Sequence, residues 1–192
     1  LPVDLTWHTY DGFPIEILKF EESIMAIRVF LNGCNGRMGQ VISGLAKESQ
    51  DLEIVAGSYL NQAVTQSFPV FANAQDCDVE FDVIIDLPNP AALPNLFELI
   101  RRTQKPAVIC TTGLEESQKK ELDGLAQASA IFVSANMSLG VNILISLAQK
   151  AAAILYPEFD IEIIEAHHRQ TVDAPSGTAL MIADAINETL DN

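Results

Sequence analysis

The chain has 192 residues, enough for one domain or two small ones with an adequate core. Its 11 Lys and Arg stand against 26 Asp and Glu, a formal net charge of −15, which excludes a broad nucleic-acid-binding face because phosphate contacts need clustered cations. Hydrophobic residues make up 48% of the chain, which excludes general disorder, and a positive site for an anion has to be local.

Residues 1–24 mix aromatics with acids and carry Gly12 and Pro14 as breakers, an extension without an assigned role. The start lacks a basic region followed by an apolar one, so no signal peptide is expected. No apolar run approaches the roughly 20 residues of a membrane span. Cys34, Cys77 and Cys110 are odd in number and irregularly spaced. That suits a reducing compartment better than disulfides or a zinc site. The expectation is a cytoplasmic protein with no metal and no membrane or nucleic-acid partner.

Ala26–Asn32 is a short apolar run of the kind found in buried parallel strands. It leads into Gly33, Cys34, Asn35, Gly36, Arg37, Met38 and Gly39, followed by a helical pattern through Val41, Ile42, Leu45 and Ala46. Strand, glycine turn and helix together form the setting of a dinucleotide site. Gly33 is expected to make the tight turn, Gly36 to admit a pyrophosphate, and Gly39 to let helix and strand pack closely. A second strand is expected over Glu53–Gly57. The acid that such sites place at its end, about 20 residues beyond the glycines, is replaced by Ser58, Tyr59 and Leu60. The choice between NAD and NADP therefore stays open.

Asn61–Glu80 reads as a polar connection, Phe81–Asp86 as a buried strand, Leu93–Thr103 as a helix and Pro106–Thr111 as a strand. Cys110, Thr111 and Thr112 follow at a carboxyl end, where open α/β sheets bind ligands. They are expected to face the nicotinamide amide or the substrate, or else to cap the next helix. Glu115–Gln127 reads as an amphipathic helix, Ala130–Ala135 as a strand and Val141–Tyr156 as a long apolar helix. The alternation from residue 26 to 156 implies a doubly wound parallel α/β sheet of Rossmann type, a dinucleotide-binding domain over 25–156.

The last segment, 157–192, outlines a substrate site, and the resemblance given below implies that it is the beginning of a smaller α+β substrate domain. Ile161, Ile163 and Ile164 suggest a strand, and His167-His168-Arg169 is a cationic corner in a chain with few cations. Ser176, Gly177 and Thr178 then head a helix over Ala179–Leu190, with Ser176 as N-cap. A cationic corner beside a helix N-terminus suits a carboxylate.

The run Glu165-Ala-His-His-Arg-Gln-Thr-Val-Asp-Ala-Pro-Ser-Gly-Thr-Ala closely resembles the signature of the bacterial 4-hydroxy-tetrahydrodipicolinate (dihydrodipicolinate) reductase family, of the diaminopimelate route to lysine. The glycine turn, Thr111-Thr112-Gly113 and the run Asn136–Asn142 are similar to the family's other motifs, so the resemblance covers Met25–Leu190. It implies an NAD(P)H-dependent oxidoreductase that reduces a cyclic imine carrying two carboxylates, with Met25 as the natural start and a homo-oligomer as the usual assembly. By this resemblance His167 handles the proton. His168, Ser176, Gly177 and Thr178 bind the dicarboxylate substrate, while Asp173 organises the loop. Gly33–Gly39, with Arg37 beside the phosphates, Cys110–Thr112 and Ser134, Ala135, Asn136 and Met137 bind the reduced cofactor.

The departures are specific. Tyr59 stands where the family has an acid, Pro88 where it has a hydroxyl residue, and Thr171 where it has a Lys four residues after its first His. The family's substrate domain also continues beyond the helix headed by Ser176. These departures leave two alternatives, a catalytically impaired or non-catalytic paralogue and a nicotinamide-dependent dehydrogenase with another small acid substrate.

Overall fold

The computed structural model describes residues 26–60, 66–87, 90–169 and 174–190. Six strands, β1 (Ile27–Asn32), β2 (Leu52–Ser58), β3 (Val70–Phe71), β4 (Val83–Asp86), β5 (Ala107–Ile109) and β6 (Ile131–Val133), form one sheet in the order β3-β2-β1-β4-β5-β6. Every pairing is parallel. This is the Rossmann order, and its direction reverses between β1 and β4, where such sheets open a ligand crevice.

The apolar content of each strand explains its place. Val29, Phe30 and Leu31 of β1 are fully buried, as a central parallel strand covered on both faces requires. Phe30 stacks at a tilt on Phe81, with ring centroids 5.4 Å apart. Helix α1 (Arg37–Glu48) packs by its small residues Gly39, Ser43 and Ala46. Helix α2 (Leu93–Thr103) buries Leu93, Leu96, Phe97 and Ile100, the spacing of a single apolar stripe. It stops at Gln104, which takes a left-handed φ of 54° and returns its N–H to the Ile100 carbonyl. Helix α3 (Glu116–Leu125) starts from a reciprocal capping box between Glu115 and Gln118.

Helices α4 (Leu139–Leu155) and α5 (Gly177–Leu190) lie against each other, tied by Gln149 Nε2 to the Ala185 carbonyl at 3.1 Å and to Thr189 Oγ1 at 3.2 Å. No helix of the described residues is long and apolar enough to cross a membrane.

Three differences from the sequence expectation are informative. Within the connection 61–80, Val70–Phe71 adds a two-residue edge strand, too short to show a period. The stretch from Ile161 to Ala166 forms no strand, and Ile161, Ile163 and Ile164 instead line an open groove of about 400 Å³ with Leu144, Ile182 and Ile186. A strand exists only as part of a ladder, and no described strand pairs with this one. Helix α5 also begins earlier than expected, at Gly177, with the Ser176 hydroxyl accepting from the Ala179 N–H at 3.1 Å.

Two glycines of α1 give opposite tests. A Cβ on Gly39 would lie 2.2 Å from the Gly33 carbonyl oxygen and 2.6 Å from that of Cys34, whereas one on Gly44 would meet nothing within 4 Å. Gly39→Ala is expected to lower stability by about 1–3 kcal/mol, because backbone has to move. Gly44→Ala is expected to raise it by roughly 0.5–1 kcal/mol. Urea unfolding of the two variants beside the parent checks both signs.

Candidate active site

The crevice begins at the glycine turn. Gly33 follows β1 with φ of 86°, a conformation that favours glycine, and its N–H donates to the Ser58 carbonyl at 2.8 Å. The Cys34 N–H shares that carbonyl at 3.3 Å, so the turn is stitched to the end of β2. Cys34 itself is fully buried, with its thiol pushed up to about 11 by burial. It fills the space over Gly57, where an added Cβ would sit 2.9 Å from its sulfur. Asn35 is also buried and accepts from Gln66 Nε2 at 2.9 Å through its side chain. Any contact from Cys34 to a ligand therefore comes from backbone.

Gly36 is the N-cap of α1 and brings no side-chain cap, and no acid stands in the first turn. The free N–H groups there, with Arg37 and Met38 exposed beside them, suit a phosphate. A Cβ on Gly36 would lie 3.2 Å from the Gly33 oxygen, a tight contact, and 3.8 Å from the Tyr59 ring, an ordinary one, so glycine keeps this approach open. A neighbouring cavity of about 350 Å³, lined by Gly33, Tyr59, Leu60, Asn73 and Asn95 among others, carries no charged side chain in its described lining. The residues thus fit a dinucleotide without providing a charge that would tell a ribose hydroxyl from a phosphate.

Across the carboxyl edge of the sheet runs a buried polar row that the sequence reading missed. The Ser58 hydroxyl donates to Asn32 Oδ1, Asn32 Nδ2 donates to Asp86 Oδ1 at 2.7 Å, and Thr111 Oγ1 donates to Asp86 Oδ2 at 2.6 Å. All four residues are buried, Asp86 completely. Burial pushes the Asp86 carboxyl up to about 6, against the opposing effect of its two hydrogen bonds. Burial, then the Asp86 charge, also raises the Cys110 thiol. The available signal was that Asn32, Ser58 and Asp86 each close an apolar strand with a polar residue.

The head of α5 sits on the loops that follow β5 and β6. A Cβ on Gly177 would lie 3.2 Å from Thr112 Cγ2 and 3.3 Å from Ala135 Cβ, so glycine allows the contact. Asn136 Nδ2 donates to Thr178 Oγ1 at 2.8 Å, while Asn136 is itself held by the Ser134 hydroxyl on its carbonyl at 3.0 Å. Met137, next along, is exposed. The structure thus brings Thr112, Ala135 and Asn136 together with Gly177 and Thr178.

Glu165, to which the sequence reading gave no role, joins the histidine corner to the same head. Its Oε2 lies 2.8 Å from His167 Nε2, and its Oε1 accepts from the Ser176 N–H at 2.9 Å. Ser176, then His167, hold this carboxyl down to about 2, so it is ionised near neutral pH. A carboxylate only accepts, so Nε2 of His167 carries a hydrogen and Nδ1 is the nitrogen left to exchange a proton. His168 and Arg169 are exposed beside it. Pro88, Thr171 and Asp173 lie outside the described residues.

Known proteins resemble this chain over most of its length. Residues 27–137 match the family described as dihydrodipicolinate reductase, N-terminus, and residues 140–192 match dihydrodipicolinate reductase, C-terminus. A 4-hydroxy-tetrahydrodipicolinate reductase of Caldanaerobacter subterraneus subsp. tengcongensis is 49% identical over 166 residues, covering 86% of this chain and 65% of that protein. The enzyme of the same name from Clostridium perfringens is 43% identical over 166 residues with the same coverage. Among solved structures, the dipicolinate-bound dihydrodipicolinate reductase of Paenisporosarcina sp. TG-14 superposes with a TM-score of 0.67 at 32% identity, covering 86% of this chain and 67% of that one. The chain spans about 65% of the length of these curated relatives. Matches to both halves of one family, together spanning most of the sequence, mean that the chain belongs to the dihydrodipicolinate reductase family.

Proposed function

We propose that this chain provides the cofactor site and the first part of the substrate site for NAD(P)H-dependent reduction of 4-hydroxy-tetrahydrodipicolinate. The observation that carries the reading is the seating of the Ser176-Gly177-Thr178 head on the loops of Thr112 and Asn136, with His167 tied to that head through Glu165. In the overall reaction the hydroxylated ring and one proton are consumed with NAD(P)H, giving tetrahydrodipicolinate, water and NAD(P)⁺. A bound reduced nicotinamide supplies the hydride.

The residues of the chain do the rest. The backbone of Gly33–Gly39 and the uncapped start of α1 receive the pyrophosphate, with Arg37 beside it. The loops Cys110–Thr112 and Ser134–Met137 border the nicotinamide. Ser176, Gly177 and Thr178 offer hydroxyls and N–H groups of the α5 N-terminus to one substrate carboxylate, and His168 lies near for the other. His167 exchanges the proton at Nδ1 while Glu165 keeps the ring turned. Thr171 cannot replace the family's Lys as an acid, and loss of a positioned acid costs about 10²–10⁴-fold in rate, so slow turnover is part of this reading.

Isothermal titration with NADH, NADPH and pyridine-2,6-dicarboxylate tests it. Both cofactors are expected to bind with similar affinity, since the adenosine-side cavity carries no described charge. Binding of cofactor without the dicarboxylate would indicate a dehydrogenase for another acid, and binding of neither a non-catalytic relative. Gly36→Val is expected to abolish cofactor binding. Ser176→Ala should leave NADH binding intact and weaken the dicarboxylate about tenfold, the loss of one hydroxyl bond to a charged group.

A further inference from the structure

We propose that Asp86 is the positioning residue of this site: by accepting from Asn32 and Thr111 together it commits the Thr111 hydroxyl hydrogen inward, so that the β5 loop meets a cofactor, placed as above, as a hydrogen-bond acceptor. The row is polarised in one sense. Ser58 donates to Asn32, Asn32 donates to Asp86, and Thr111 donates to Asp86 from the other side. An ionised carboxylate only accepts, so it fixes the direction of every bond that reaches it. With its hydrogen so used, the Thr111 hydroxyl can meet any further group only as an acceptor. That suits an amide N–H, such as the carboxamide of a nicotinamide, and not a substrate carboxylate.

The position of Asp86 comes from the sheet. Asn32 is the register partner of both Ser58 and Asp86, so the three side chains share one face at the switch point of the strand order. The titratable group facing Asp86 is the Cys110 thiol on the same loop as Thr111. Among the described residues no Lys, Arg or His acts on Asp86. From Thr111 the constraint passes to Thr112, which packs on Gly177 at the head of α5.

This carboxylate is kept at a cost in stability. Its folded value, about 6, is above the unfolded 3.8. Its contribution to stability is therefore largest below pH 3.8, falls as pH rises to about 6, and is level above that. Below about pH 6 the protonated Asp86 donates in its turn, and the Thr111 hydrogen is released to point outward.

The test uses the 192-residue chain and its Asp86→Asn, Thr111→Ser and Thr111→Val variants, with NADH titrations from pH 5.5 to 8 and Tm at pH 7.5. Asn can accept from Asn32 and donate to Thr111, which reverses the hydroxyl while filling the same space. The expected result for Asp86→Asn is a Tm equal to or above the parent, with NADH affinity about tenfold lower and no longer dependent on pH. Thr111→Ser should keep the parent's affinity, and Thr111→Val should lower NADH affinity as Asp86→Asn does, with a lower Tm because the Asp86 carboxylate loses a donor. In Asp86→Asn, parent-like affinity and pH profile, or a loss of affinity accompanied by a lower Tm, would overturn the proposal. If the parent binds no NADH, the cofactor reading falls, and the amide signals of Thr112, Gly113 and Gly177 decide the role of Asp86. A midpoint near pH 6 in the parent, missing from Asp86→Asn, upholds it, and pH-independent signals overturn it.

Discussion

A carboxylate with no described cation beside it lies at the centre of this structure, at the end of β4. Parallel strands in register place side chains of equal height on the same face, and here the sheet uses that rule to line up Ser58, Asn32 and Asp86 under its carboxyl edge. Buried polar groups have to find partners, and this row finds them in one another and in Thr111. The consequence is geometric. Four segments far apart in the chain are held at a common height just where the glycine turn and the β5 loop open the crevice.

Close backbone approach is the second constraint. The turn after β1 is hydrogen-bonded to the end of β2 and pressed against the start of α1, which leaves no room for a Cβ at Gly39 or Gly57. Cys34 fills the remaining space, so its thiol belongs to the packing although its backbone belongs to the turn. The same economy recurs at Gly177, where the missing Cβ lets α5 rest on Thr112 and Ala135. In both places glycine acts by removing volume rather than by adding flexibility, once within the turn and once between α5 and the loops after β5 and β6.

Charge is handled locally. In a chain with a net charge of −15, the helix starts and the short cationic run at His167–Arg169 are local sites that favour an anion against the general surface potential. Glu165 balances that run from within, binding the α5 start through Ser176 and the imidazole of His167. The head of α5 thus already holds one carboxylate, that of Glu165, at its Ser176 N–H.

The local features were legible in the sequence, because each has its own pattern over a few residues. The alternation of apolar strand runs with helical segments pointed to the doubly wound sheet, Leu93–Thr103 was readable as α2, and Ser176 marked the N-cap of α5. The glycine turn was readable because strand, glycines and helix follow one another directly. Only tertiary structure decided the polar row, since the partners of Asn32 lie 26 and 54 residues away and their meeting depends on strand order and register. It also decided against a strand at Ile161–Ala166: β-branched residues make a segment suitable for a sheet, but a strand exists only where another edge can take up its hydrogen bonds.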